Sequence, residues 1–267
     1  MITNITIGQY YPTKSVIHSL DARVKLYASF VYIAMLFLAS NVYAYLLAFS
    51  ALVGMIILSN VPVVYMLRGL KAIFFIIIFT VTLNIFFTQG ETILFTIFGV
   101  SIYLEGVTLA VKMATRLIML VISSSVLTLT TSPIQLTDAI EHVLNPLKKI
   151  GVPAHEIAMM MTIALRFIPT ILDEMSKIMK AQMARGADFD TGGLIKKSKS
   201  LLPLLVPLFV SAFKRADELA MAMEARCYRG SYNRTRMKQM KLVKRDLYAI
   251  FCMASFVFLI IVANSIF

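Results

Sequence analysis

The chain alternates long apolar stretches with short polar ones as far as residue 131. It changes character over residues 132–246 and closes on one more apolar run. The first apolar block runs from Leu26 to Ser59. A membrane-crossing helix needs about 20 residues, so this block is long for one crossing and tight for two. Ser40-Asn41 lies mid-block as a turn, which predicts two short spans, 26–40 and 43–59. A single tilted helix with an interfacial extension is the alternative. Pro62, Arg68 and Lys71 mark the next loop, and a third span follows over 70–88. Residues 92–104 are apolar but too short to cross. With Gly99 mid-stretch and β-branched and aromatic residues on either side, they fit a short hairpin at the outer surface or an interfacial segment. A fourth span is predicted over 106–131 and a fifth over 247–267.

The segment 132–246 carries 19 of the 26 Lys and Arg residues and 11 of the 14 Asp and Glu residues. It is nevertheless rich in Leu, Ile, Met and Ala at helical spacing, which argues for packed helices and against a disordered loop. Ser132-Pro133 opens one helix, which ends near Pro146. A second starts at Pro153, carries Ile157, Met160, Met161, Ala164 and Leu165, kinks at Pro169 and stops at Gly186. Residues 188–193 form a turn. A third helix starts near Leu194, bends at Pro203 and Pro207, and runs unbroken from Leu208 to Tyr228, with Gly230 as its terminator.

Both long helices thus end in a short tip: Ala184-Arg185-Gly186, and Ala225-Arg226-Cys227 followed by Tyr228-Arg229-Gly230. Alanine keeps a tip slim enough to enter a groove. Arginine brings a permanent charge and five donors for carboxylates or carbonyls. Glycine lets the backbone turn away with φ > 0. A solvated helix cap would also use a basic residue here, because cations suit the negative end of the helix dipole. Two such tips in one insert favour docking. Many of the 17 methionines lie in the same insert, among them Met159, Met160, Met161, Met175, Met179, Met183, Met221, Met223, Met237 and Met240. Their flexible thioethers suit a surface that slides against a partner, and equally a simple core.

Composition narrows the class. Of 267 residues, 59% are hydrophobic and 15% charged, with a mean hydropathy of +0.80. Soluble domains run near 45–50% apolar and about 25% charged, so this is a polytopic membrane protein. The net charge of +12 follows from cationic cytoplasmic loops and anionic inner-leaflet lipid, and nucleic acid is not called for. Arg23 and Lys25 precede the first span and Arg68 and Lys71 the third, whereas the turns near Asn41 and Glu91 hold no Lys or Arg. The N-terminus and the 132–246 insert are therefore expected in the cytoplasm, and the C-terminus outside. No cleavable signal peptide is read in the first twenty-five residues, and Cys227 and Cys252 are too few for a disulfide framework.

Candidate chemistry is sparse. Lys112 and Arg116 lie four apart on one face of the fourth span. Intramembrane cations mark substrate paths, or else snorkel and pair within a bundle, with Glu105 the nearest partner in sequence. None of His18, His142 and His155 belongs to an HExxH motif, and no paired-carboxylate or nucleophile–base signature lies at membrane depth. Gly192-Gly193-Leu194-Ile195-Lys196-Lys197 lacks the spacing of a phosphate loop, so ATP is not expected to be hydrolysed by this chain. A stand-alone channel or secondary permease is the alternative reading, though no internal repeat is found and five spans suit a two-fold repeat poorly.

Five strings in order resemble the transmembrane T component (EcfT, CbiQ-like) of energy-coupling factor transporters. They are Leu129-Thr130-Thr131-Ser132-Pro133, Leu165-Arg166-Phe167-Ile168-Pro169, Ala184-Arg185-Gly186-Ala187-Asp188, Arg215-Ala216-Asp217-Glu218-Leu219-Ala220 and Ala222-Met223-Glu224-Ala225-Arg226. The resemblance spans nearly the whole chain. It implies an all-α polytopic membrane protein of the bacterial plasma membrane. Residues 1–131 would hold about four spans, 132–246 a cytoplasmic helical coupling domain with two long coupling helices, and 247–267 the last span. It implies a non-catalytic scaffold of a vitamin or other micronutrient importer, related to ABC transporters. Its partners would be two cytoplasmic ABC-type ATPases, which bind ATP and Mg, and a small membrane S component that captures the substrate. This chain itself would hold no cofactor and no metal. The same resemblance seats Arg185 on one ATPase and Arg226 on the other. Cys227 stands where the family usually has glycine, which leaves Gly230 as the alternative terminator.

Overall fold

A computed structural model describes residues 10–97, 100–187, 194–230 and 242–266. The turn expected over 188–193, Gly99, Met237 and Met240 lie outside the described residues. The chain is predominantly helical. Its elements are α1 (Ala22–Leu38), α2 (Val42–Ser59), α3 (Val63–Phe87), β1 (Ile93–Ile97), β2 (Val100–Tyr103), α4 (Leu104–Thr130) and α5 (Pro133–Leu144). A 3₁₀ turn (Asn145–Ile150) follows, then α6 (Ala154–Ala184), α7 (Leu194–Ala225) and α8 (Lys244–Ile266). They fall into two compact units. One holds Tyr10–Ala139 and α8; the other runs from Ile140 through the end of α7.

In the first unit Ser40-Asn41 does separate two helices. Within the expected hairpin segment β1 and β2 pair antiparallel, Ile93 with Tyr103 and Ile97 with Val100. The expected loop at Pro62, Arg68 and Lys71 is corrected: Asn60-Val61-Pro62 alone joins α2 to α3, and α3 begins at Val63 with both cations inside it. Pro62, at φ −59°, stands before a helix start without conflict, and a helix can continue past the hydrocarbon until its cations reach water.

The core of this unit joins α1, α2, α4 and α8 through Tyr32, Leu36, Ala48, Leu52, Met119 and Ile260. Ala44 and Ala48 are fully buried one turn apart on α2, so backbones approach closely there, as membrane helices do at small residues. The Tyr32 hydroxyl donates to Ala48 O at 3.1 Å. α3 packs along α4, and a Cβ added at Gly106 would lie 3.0 Å from Asn84 O. On α3, Phe74, Phe75, Phe79 and Phe87 stay exposed, as a lipid-facing surface requires.

Length and composition mark α2, α3, α4, α6 and α8 as able to cross a membrane. α1, expected as the first span, has 17 residues, the lower limit for a crossing. α6 qualifies by mean hydropathy, yet Glu156, Arg166, Asp173, Glu174, Lys177 and Lys180 are spread along it, whereas α2 carries no charge at all.

Candidate functional site

Both tips belong to the second unit. α6 ends at Ala184 with Arg185 as its cap residue, and Gly186 takes φ +86°. Gly186 N donates to Met183 O at 3.0 Å and Ala187 N to Gln182 O at 3.0 Å. This is the paired bonding of a Schellman ending, in which a left-handed residue turns the chain away and two late carbonyls find donors. α7 repeats it 41 positions on: Cys227 N donates to Glu224 O at 2.9 Å, and Tyr228 N to Met223 O at 3.0 Å. Cys227 has φ +55°. The cysteine thus adopts the backbone that glycine adopts in the first tip. The expected helix end at Tyr228, with Gly230 as terminator, is corrected to Ala225 with Cys227 as the turning residue. Gly230 also has positive φ, +75°, but lies beyond the ending.

Ala184, Arg185, Ala225, Arg226 and Cys227 are all exposed, and neither arginine has a side-chain partner among the described residues. Each tip therefore presents an exposed guanidinium beside a minimal side chain. That is a shape able to enter a groove and bind carboxylates or carbonyls there.

Sequence reasoning missed what joins the two helices. Glu174 of α6 accepts from Ser211 Oγ at 2.6 Å through one carboxylate oxygen and from the Arg215 guanidinium through the other. Tyr228 donates its hydroxyl to Met159 Sδ at 2.8 Å. Residues 159 and 174 of α6 thus face residue 228, just past the end of α7, and residues 211–215 within it, so the helices run antiparallel. Between these contacts lies an open apolar groove of about 550 Å³, with Ile163 and Phe167 on one wall and Ala212, Ala216 and Ala220 on the other. The available signal was the quoted string containing Arg215, whose partner sits 41 residues away.

Lys112 and Arg116 come together at the α1–α2 turn. Lys112 Nζ donates to Ser40 O at 3.3 Å, and Arg116 Nη2 donates to Ala39 O at 3.2 Å and to the Tyr45 hydroxyl at 2.7 Å. The Arg116 guanidinium also stacks over Phe37, 5.5 Å from the ring centroid. Arg116 thereby covers the carbonyl of the residue that caps α1, and Lys112 that of the next residue in the turn, both near the helix C-terminus where positive charge is favoured. Glu105, the expected partner, instead accepts from the Thr92 hydroxyl at 2.8 Å.

At the other end of this bundle Lys25 is buried, donating Nζ to Thr130 O at 2.9 Å, and Tyr11 N donates to Leu129 O at 2.9 Å. Asp246 of α8 accepts from Asp21 N at 2.8 Å. His18 Nε2 meets Tyr11 O at 3.0 Å and Nδ1 meets Ser15 Oγ at 2.7 Å, a network satisfied by the neutral ring with its proton on Nε2. Burial holds this imidazole below its ordinary value, against the hydrogen bond to the Tyr11 carbonyl, which raises it. Among the described residues no three His, Cys, Asp or Glu side chains gather to hold a metal ion.

Comparison with known proteins shows which family the chain resembles as a whole. The family described as Cobalt transport protein matches residues 13–238. The energy-coupling factor transporter transmembrane protein EcfT of Clostridium kluyveri is 56% identical over 253 residues, covering 94% of each chain. Its namesake in Ruminiclostridium cellulolyticum is 54% identical, covering 92% of each chain, and that of Bacillus subtilis is 46% identical, covering 92% of this chain and 93% of the relative.

Proposed function

The chain belongs to the family of energy-coupling factor transporter transmembrane proteins, and from that premise we propose that it is the coupling subunit between two cytoplasmic ATPases and a membrane substrate-binding S component. In this reading Arg185 and Arg226 each seat in a groove of one ATPase. ATP and Mg bind on those partners, and their closure moves the tips. The long helices carry that movement to the bundle, which reorients the S component and its vitamin or other micronutrient. The N-terminus and the α5–α7 region lie in the cytoplasm, and α8 ends outside. The chain itself performs no chemistry.

One observation carries this reading: two helices of the same unit end in the same backbone geometry and expose, at the same place 41 positions apart, an arginine with no side-chain partner among the described residues. A solvated cap accounts for each tip by itself, whereas docking to two ATPases of similar shape accounts for the pair together. Reversing both charges, Arg185→Glu with Arg226→Glu, is expected to abolish co-purification of the ATPases and uptake. Unchanged complex and uptake would refute the docking role.

A further inference from the structure

The contact between α6 and α7 is mostly apolar and lined by small side chains. Ala212, Ala216 and Ala220 face Ile163 and Phe167 across an open groove. Apolar contact of this kind has no direction and sets register poorly. Direction comes from the polar contacts, above all from Glu174, which holds Ser211 and Arg215 with separate oxygens. The position of this clasp is specific. Arg185 lies 11 residues beyond Glu174 on α6, and Arg226 lies 11 residues beyond Arg215 on α7. The helices are antiparallel, so the two arms point in opposite directions. At 1.5 Å per residue each arm is ~17 Å long, and the clasp stands midway along a line of ~33 Å between the tips. Both arms are free of proline. The prolines Pro169, Pro203 and Pro207 all lie on the other side of the clasp from the tip of their own helix. Proline loosens a helix by removing a backbone donor, so the stiff segments are those that join clasp to tip.

We propose that Glu174, with Arg215 and Ser211, is the positioning clasp that fixes the span between the two arginine tips, and that load passes through it when the ATPases move. The proposal rests on the docking reading above for its link to transport, but the span itself is a property of this chain alone. The clasp is charge-assisted and only partly exposed, with side-chain exposures of 34% for Arg215 and 22% for Glu174, which favours a durable contact over a fleeting surface pair.

Two measurements test it. In the full chain, purified in detergent, spin labels at Met183→Cys and at native Cys227, with Cys252→Ser, report the tip-to-tip distance. The unaltered clasp is expected to give one narrow distribution near ~30 Å. Arg215→Met and Glu174→Gln are expected to broaden it at least about twofold, and the exchange Glu174→Arg with Arg215→Glu to narrow it again. A distribution as narrow in both single variants as in the parent overturns the clasp, whether or not the tips bind ATPases. In the reconstituted complex with ATPases and S component, the single variants are expected to retain both ATPases yet transport about fivefold less substrate per ATP, with recovery in the exchange. Normal coupling despite a broadened span overturns the positioning role. Failure of the docking reading shows separately, as ATPases retained after charge reversal at both tips.

Discussion

Cys227 and Gly186 occupy equivalent places with different side chains, and the difference is measurable. A non-glycine residue in the left-handed region costs on the order of 1 kcal/mol, because its Cβ crowds the following carbonyl. Nothing lies within 4 Å of a Cβ built at Gly186, so its glycine answers to φ alone. Cys227→Gly is therefore expected to stabilise the chain by up to about 1 kcal/mol, and Gly186→Ala to destabilise it by about the same amount, in thermal unfolding of detergent-purified protein. His18 gives a pH test. Its folded value lies below that of the free imidazole, so above pH about 6.5 both states hold it neutral and nothing is lost. As pH falls below that point the unfolded chain takes the proton first, and native stability declines. Unfolding temperature is expected to drop between pH 7 and pH 5, with a shallower drop in His18→Gln.

Individual helices are stabilised in two ways. α6 and α7 are amphipathic and lean on each other through small and polar side chains, whereas α2, α3 and α8 are apolar along most of their length, with α2 and α8 packed into the side-chain core and α3 set closely against α4. Gly106 on α4 is the clearest such approach, with a hypothetical Cβ 3.0 Å from Asn84 O of α3. Gly106→Val is expected to destabilise by roughly 1–3 kcal/mol through overpacking. The expected readout is a lower midpoint in thermal unfolding, with the α3–α4 pair the first to lose protection in hydrogen exchange. The charged pair on α4 acts at this scale too: Lys112 and Arg116 close the end of a neighbouring helix, so they serve the α1–α2 turn.

For the whole molecule, the proposed role requires that force enter from outside it. The chain has no phosphate loop, and its relatives are named as transmembrane proteins of an energy-coupling factor transporter. Reconstituted alone in liposomes, it is expected to show neither nucleotide turnover nor uptake, and both are expected to return when the ATPases and an S component are added. Uptake by the chain alone would favour a self-sufficient permease.

Hydropathy and helical spacing are local, so the sequence by itself placed the long apolar helices and the charged helical insert, and left residues 92–104 open between a hairpin and an interfacial segment. The same local signal misplaced the start of α3. Where hydropathy falls marks where lipid ends, whereas a helix ends only when its hydrogen bonding stops. Long-range polar contacts were out of reach. That Glu174 meets Arg215, that Lys25 meets Thr130, and that Arg116 turns to Ala39 and not to nearby Glu105 depend on which helix faces meet. The same holds for Cys227: its composition argued against a left-handed turn, and only the closing pair of backbone bonds at the end of α7 outweighed that local preference.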